Sequence, residues 1–253
     1  MKTQLWGLYA REVLRVFRNP FVVLITLVSP FMWLAFFGSS FTNIAAASGR
    51  FGTANYFAFL LPGTLSTSML SVGMFGSMSS IQDKRFGFMK RILITPTSKQ
   101  TIFLSKSLGA ATRGLIQVPV MIVAAYVFGV RYPLSAVEWA GWVAALFLLA
   151  FGFACLFLAI TAPSTDWQTP GVVANFITMP LMFASASLFP STAFPGWMQA
   201  ISNVNPITFS AELGRAFLLG TAVDWWDLGY LAVFGLAMAL IGYVVSARWL
   251  KVD

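Results

Sequence analysis

Charged residues in this chain are gathered into short islands, and the long stretches between them are almost wholly apolar. No charge occurs over 19–49, 51–82, 139–165, 167–211 or 228–247. Each gap can hold the roughly 20 apolar residues that a helix needs to cross ~30 Å of hydrocarbon. With boundaries at prolines, glycines and polar turns, the pattern predicts six spanning helices over 21–41, 56–80, 108–130, 139–161, 170–189 and 227–247. Pro30 and Pro180 fall inside the first and fifth and are expected to bend them. The second span carries Gly63, Gly73 and Gly76 with Ser66, Ser68, Ser71 and Ser77. Small residues let membrane helices approach closely, so this span is expected to pack against a neighbour. The fold class is therefore an all-α polytopic membrane protein with six transmembrane helices.

Three stretches do not fit a spanning pattern. Over 1–20, Gln4, Arg11, Arg15 and Arg18 share one face of a helix, and Leu5, Trp6, Tyr9, Val13, Val16 and Phe17 the opposite one. That suits an amphipathic helix lying in the headgroup layer with its apolar side down. A signal peptide is the rival reading, with Ala45–Ala47 as small residues after an apolar run. The run over 21–41 is, however, too long and too late for such a leader.

The second stretch, 82–113, holds Lys84, Arg85, Lys90, Arg91, Lys99, Lys106 and Arg113 against one acid, Asp83. Its first part, 82–98, reads as a short amphipathic helix. Phe86, Met89 and Leu93 form an apolar stripe at i, i+3 and i+7, leaving Asp83, Lys84, Lys90 and Arg91 toward water or a partner. Thr95-Pro96-Thr97-Ser98 then stops it. The segment is either a loop whose lysines only fix topology or a docking helix lying flat under the membrane.

The third stretch, 190–220, is too short and polar to cross again. It predicts a helical hairpin that dips into the outer leaflet and returns, since irregular backbone at that depth must be covered by protein or line a wet cavity. Glu212 and Arg215 there, at i and i+3, are either a surface ion pair worth a few tenths of a kcal/mol or part of a gate.

Composition narrows the class. The chain has 253 residues, of which 58% are hydrophobic and 9% charged, which places it with membrane proteins. A net charge of +8 would suggest nucleic acid in a soluble domain. Here topology accounts for it. With the N-terminus in the cytoplasm, thirteen of the sixteen Lys and Arg residues lie inside and only Arg50, Arg131 and Arg215 outside. The acids divide four and four. This is the positive-inside rule, and it puts both termini in the cytoplasm. The chain has no histidine, which excludes His-based triads, zinc-protease helices and 2-His-1-carboxylate iron sites. Cys155 is the only cysteine and reads as a small packing residue. Lys2-Thr3 and Lys106-Ser107 lack the preceding glycines of a phosphate-cradling loop. No cofactor is expected on this chain, and any ATP with its Mg is bound by another.

Asp83, Gly87, Leu93, Pro96 and Lys106, in that order between the second and third apolar segments, resemble the cytoplasmic coupling segment of ABC-2 type permeases. These are membrane subunits of ABC exporters, including daunorubicin-resistance-like, nodulation-like and polysaccharide- or lipid-exporting systems. Family members often carry Glu at the position of Asp83, so that match is one of charge. A second likeness, Asn205-Pro206 followed by Glu212, Arg215 and Gly220, is similar to the family's signature before the last helix. The resemblance implies a single transmembrane domain over 1–253, with 1–20 as a connecting helix that touches the ATPase. It implies ATPase coupling by Asp83, Lys84, Gly87, Arg91 and Pro96, with Arg11 and Arg15 supporting. Asn205, Pro206, Glu212 and Arg215 belong to an external re-entrant element capping the path. The implied partners are two soluble ATPase subunits and a second permease subunit, a second copy in preference to a paralogue. The implied location is a prokaryotic inner (plasma) membrane.

Three classes of function fit such a chain: an export permease driven by a separate ATPase, a secondary transporter or channel, and an intramembrane enzyme. Ion-coupled carriers place ionisable groups at the midplane, and the predicted spans hold almost none, Arg113 being the nearest. The sequence also lacks an obvious inverted repeat. Paired carboxylates at membrane depth, which an enzyme would use, are missing. The permease reading gives the two amphipathic helices one job, docking a motor. It also suits a path lined by Phe, Met, Leu and Trp for an amphipathic drug, lipid or lipid-linked glycan. Transporter or channel without a nucleotide-driven partner stays as the alternative.

Overall fold

The computed structural model describes all residues except 1, 19, 49–50, 52, 54, 96, 132–134, 165–167 and 250–253. Among the described residues the chain is helical throughout, with no strand. The order is α1 (Lys2–Phe17), α2 (Pro20–Ser48), α3 (Tyr56–Arg85), α4 (Phe88–Leu93), α5 (Lys99–Val127), α6 (Ala136–Thr161) and α7 (Gln168–Phe183), then a 3₁₀ turn (Ser191–Ala193), α8 (Gly196–Ser202), α9 (Pro206–Leu219) and α10 (Trp225–Trp249).

The long apolar runs become long helices because their backbone groups can be satisfied in no other way inside lipid. Tyr56–Arg85, Lys99–Val127, Ala136–Thr161 and Trp225–Arg248 are each long and apolar enough to cross a membrane. α2 has 29 residues and no charged one. At 1.5 Å per residue it reaches about 43 Å.

α3 is the hub. It packs against α2, α5, α6 and α9 and is buried over most of its length. Its small residues make this possible, as the sequence suggested. A methyl added at Gly73 lies 2.8 Å from the backbone of Phe153 in α6, and one at Gly76 lies 2.7 Å from the Cβ of Ala110 in α5. At the α9 end of the molecule, a methyl at Gly63 falls 2.0 Å from the carbonyl oxygen of Ser187. α10 closes the far side by packing on α6 and α9.

Three expected elements differ from those observed. The helix over 82–98 divides: α3 runs on to Arg85, Gly87 adopts φ +71° and breaks it, and only Phe88–Leu93 forms α4. The third apolar helix starts at Lys99 rather than 108, because Ser98 accepts from the Thr101 amide and caps it there. The fifth helix, expected over 170–189, ends at Phe183. Its 16 residues reach about 24 Å, less than the ~30 Å of a full crossing.

Beyond Phe183 the chain leaves helical geometry while staying buried over 184–188. Side chains from elsewhere satisfy it there. Thr208 Oγ1 accepts from the Ala186 amide at 3.1 Å, and Tyr56 donates to the Leu188 carbonyl at 2.7 Å. The sequence marks the break only weakly, since Ala184–Leu188 holds no charge, proline or glycine.

Candidate functional site

At the α1 end of the molecule, three helices bring their charges to one point. Glu12 lies on α1, Asp83 in the last turn of α3, and Lys106 and Arg113 on one face of α5, two turns apart. Lys106 Nζ donates to Asp83 Oδ2 at 2.5 Å and to Glu12 Oε1 at 3.4 Å. All three side chains are 5–6% exposed. Arg11 Nη2 donates to Asp83 Oδ1 at 3.0 Å, and Arg15 Nη1 lies 3.7 Å from the same oxygen. Arg113 Nη2 lies 3.8 Å from Glu12 Oε2, and Ser79 donates to that oxygen at 3.4 Å. Arg15 also donates to Ser79 at 3.0 Å and to Gln82 at 2.8 Å.

Two buried carboxylates are thus held by four cations. A buried carboxylate is tolerated only when paired and hydrogen-bonded, and both conditions are met here. The close approach behind this needs a glycine: a methyl on Gly109 of α5 falls 2.6 Å from the Glu12 Cβ. Tyr9 and Thr112 add a hydroxyl contact at 3.0 Å between α1 and α5.

α4 is fastened to the same body. Met89 and Ile92 are buried with Ile102 of α5, and Leu8 of α1 and Phe88 pack on them. The Arg11 guanidinium sits 3.6 Å from the centroid of the Phe88 ring. The apolar stripe is therefore carried by Met89 and Ile92, while Phe86 is 82% exposed. The reason is Gly87: the turn it makes rotates α4 away from the face that a continuous helix would present. Arg91 is exposed on α4, and Ile94 just beyond it is 86% exposed.

The expected outward positions are thus redistributed. Asp83 faces inward, because α1 and α5 supply it with cations. Lys84 is half-buried and donates to the carbonyls of Ala162 and Ser164, closing the C-terminal end of α6 rather than facing a partner. Arg11 and Arg15 meet at Asp83, so the basic face of α1 is turned onto the protein, with Trp6 at 66% and Phe17 at 64% exposed on the outside. Pro96 and the side chains of Lys90 and Leu93 lie outside the described residues. Glu12 and Arg113 enter the cluster without having been singled out for coupling, and Lys106, one of the positions that resemble the coupling segment, joins them as a buried cation. The available signal was that Glu12 is the sole acid of α1, and that Lys106 and Arg113 recur at i and i+7 in a helix otherwise charged only at Lys99.

The opposite end is organised by α9. Asn205 caps it by accepting from the Ile207 amide at 3.0 Å, and donates to the Leu181 carbonyl at 2.7 Å. Pro206 follows at the first helical position, where its missing N–H costs nothing. Gly220 ends the helix at φ +65°. Arg215 is 7% exposed. Its Nε donates to the Phe59 carbonyl at 3.0 Å, its Nη2 to the Ser187 carbonyl at 2.8 Å, and its guanidinium lies 3.6 Å from the centroid of the Phe59 ring. A surface ion pair with Glu212 is therefore not what Arg215 makes. It ties α9 to the start of α3 and to the non-helical 184–188 segment, where the Ser187 carbonyl has no helical donor and Arg215 supplies one.

Comparison with known proteins supplies a further finding. A family model described as ABC-2 type transporter matches residues 3–219. The chain is similar to the ycf38 protein of Pyropia yezoensis, provisionally described as a transport permease, at 27% identity over 95% of this chain and 86% of the relative. It is similar to the daunorubicin resistance ABC transporter permease protein DrrB1 of Streptomyces coeruleorubidus, at 25% identity over 82% of this chain and 70% of the relative. It is also similar to the inner membrane transport permease YadH of Escherichia coli K12, at 23% identity over 93% of this chain and 89% of the relative.

Proposed function

The chain belongs to the ABC-2 type transporter family, and on that premise we propose that it is the transmembrane permease subunit of an ABC exporter. It pairs with a second copy, or with a paralogue, to form a path for an amphipathic drug, lipid or lipid-linked glycan. ATP and Mg are bound by separate soluble subunits, two per assembly. The chain sits in a prokaryotic inner membrane with both termini in the cytoplasm, crosses six times, the fifth crossing being made by α7 together with the buried non-helical 184–188 segment, and covers the outer end of the path with the α8–α9 hairpin.

The observation that carries this reading is the α1–α4–α5 body. The turn before α4, α4 itself and the residue after it present Phe86, Arg91 and Ile94 outward, while the charge cluster and the Met89–Ile92–Ile102 contact fix α4 to the helices behind. Large exposed apolar side chains rimmed by a cation, on a short rigid helix, suit docking of a soluble protein. Closure of two ATP-bound motor subunits then pushes the α4 helices together and moves the α2, α3 and α7 helices around the central path. The motor drives that equilibrium only as far as its ATP-bound state favours one permease conformation.

The test is co-purification with a soluble ATP-binding-cassette subunit and ATP-dependent uptake into inverted vesicles. Phe86→Glu combined with Arg91→Glu should abolish both and leave the melting temperature unchanged, because neither side chain is buried. Full uptake by that double variant would remove coupling from α4. Transport by the chain alone, with no nucleotide-hydrolysing subunit, would favour the secondary transporter or channel.

A further inference from the structure

Between α2, α3, α5 and α7 lies a cavity of about 260 Å³, in the middle of the helices that the permease reading sets in motion. One wall is a ladder of hydroxyls on α3: Thr64, Thr67, Ser68 and Ser71. Facing it are Trp33 of α2 and Met182 of α7, while Phe75 extends the α3 wall itself. Gln117 of α5 also lines it, is only 5% exposed, and has an Nε2 with no hydrogen-bond partner. No Asp, Glu, Lys or Arg contributes to the lining among the described residues.

The donors and acceptors of this space are unequal. Thr64 spends its proton on the Leu61 carbonyl at 2.9 Å, Thr67 on Gly63 and Thr64 at 3.1 and 3.0 Å, and Ser68 on Leu65 at 2.7 Å. A hydroxyl that has donated keeps lone pairs, so this wall offers acceptors. Ser71, whose proton is not spent on a carbonyl, and Gln117, once its amide turns toward the space, offer donors. A buried amide left without a partner costs free energy, which a bound oxygen would recover. An alcohol answers both demands, accepting from Gln117 and donating to the α3 wall. The absence of formal charge around it selects a neutral group, since an ion brought here would be desolvated with nothing to pair with. The aromatic and thioether side accepts an attached apolar part.

We propose that this cavity binds the neutral, hydroxyl-bearing part of an amphipathic molecule within a single chain, with Gln117 as the donor that recognises its oxygen. An assembly of two chains then has two such sites, one in each subunit. Binding stands on the geometry alone; its use as a station for cargo rests on the permease reading.

The experiment uses the full chain with its ATPase in phosphatidylcholine nanodiscs, irradiated with a diazirine-bearing alkyl glucoside and, separately, a diazirine-bearing glucosyl diacylglycerol. Adducts are mapped by peptide mass spectrometry. Labelling of α2 and α3 peptides that line the cavity is expected from at least one probe. Labelling by the glucoside alone assigns the site to free amphiphiles, and labelling by both extends it to membrane lipids. Gln117→Leu should cut labelling about three- to tenfold, the loss of one neutral hydrogen bond, while holding or raising the melting temperature, since it removes an unpaired amide. Ser71→Phe should fill the space and abolish labelling. A diazirine-bearing alkyl ammonium should label the cavity less than the glucoside. The proposal is overturned by absent cavity adducts, by undiminished labelling of Gln117→Leu, by loss of melting temperature in that variant, or by equal labelling with the ammonium. Uptake that proceeds without cavity labelling sinks this site alone. Cavity labelling without ATP-dependent uptake sinks only the permease reading.

Discussion

Lys106 is the residue whose loss should cost most at the α1 end. It is 5% exposed and bridges both buried carboxylates, at 2.5 Å to Asp83 and 3.4 Å to Glu12. Lys106→Met keeps length and much of the packing but removes the charge. Asp83 then retains Arg11 and Arg15, whose side chains are 32% and 41% exposed and so bind it through partly wet contacts. Glu12 retains Arg11 and Arg113, each at 3.8 Å. Breaking a buried pair by deleting one partner typically costs about 3–5 kcal/mol. At ~1.4 kcal/mol per decade that is more than a hundredfold in the folded-to-unfolded ratio, and a large part of an ordinary domain's stability.

The assay is reversible denaturant unfolding in mild detergent, or melting temperature where reversibility fails. Lys106→Met with Asp83→Leu should recover a large share of the loss, because a buried pair replaced by apolar side chains is often nearly neutral. The coupling between the two substitutions should be about 1–3 kcal/mol. Molar salt should weaken the contribution of the exposed Arg15 and leave that of Lys106 in place. A Lys106→Met variant within about 0.5 kcal/mol of the parent, or strict additivity of the two substitutions, would refute the reasoning.

Other substitutions test other parts of the fold. Gly87→Ala forces an L side chain into φ +71° and should cost about 1–2 kcal/mol by unfolding, with ATP-dependent uptake reduced more than stability if the turn positions α4. Arg215→Met strands the Ser187 carbonyl in a buried site and removes the contact with Phe59, and should lower stability by about 1–3 kcal/mol, while Arg215→Lys should not restore it, lacking the planar fork that reaches both. Ser135→Ala removes the capping box with Glu138, in which the Ser135 amide donates to Glu138 at 2.6 Å. It should cost about 1 kcal/mol in the same unfolding assay, and no change in uptake is expected.

The long helices were legible in the sequence because a bilayer imposes one rule on every stretch of about 20 residues, and charge-free gaps obey it visibly. The role of small residues in α3 was legible for a similar reason: Gly63, Gly73 and Gly76 cluster in one span, and each proves to be where another backbone or side chain comes close. The partnerships were not legible. Whether Asp83 faces water or protein depends on Arg11 and Lys106, 72 and 23 residues away, and on a glycine at 109 that lets Glu12 approach. Arg215 looked like half of an i, i+3 pair because local spacing is all that a sequence displays. Its real partners are the Ser187 carbonyl beyond the end of α7 and the carbonyl and ring of Phe59 on α3, groups that carry no signal of their own. The split at Gly87 was missed because a helical stripe and an interrupted one share most of their spacing over so few residues.

The two ends of α3 are held by opposite chemistries, and this bears on how the helix can transmit motion. At Asp83 it is bound through ion pairs that cannot separate cheaply, since parting them would leave buried carboxylates without cations. At Phe59 it is bound, among the described residues, without an ion pair, through the Arg215 guanidinium on the Phe59 carbonyl and ring and the Tyr56 hydroxyl on the Leu188 carbonyl. α1, α4, α5 and the foot of α3 should therefore move as one body, with Arg11 joining them through both Asp83 and Phe88. Of the proline-bearing helices, α3 with Pro62 and α5 with Pro119 are held by the charge cluster, so compliance is expected in α2 with Pro30 and α7 with Pro180. Those helices, with α3 and α5, enclose the cavity holding Gln117, so a push applied at α4 would be felt as a change in the shape of that space.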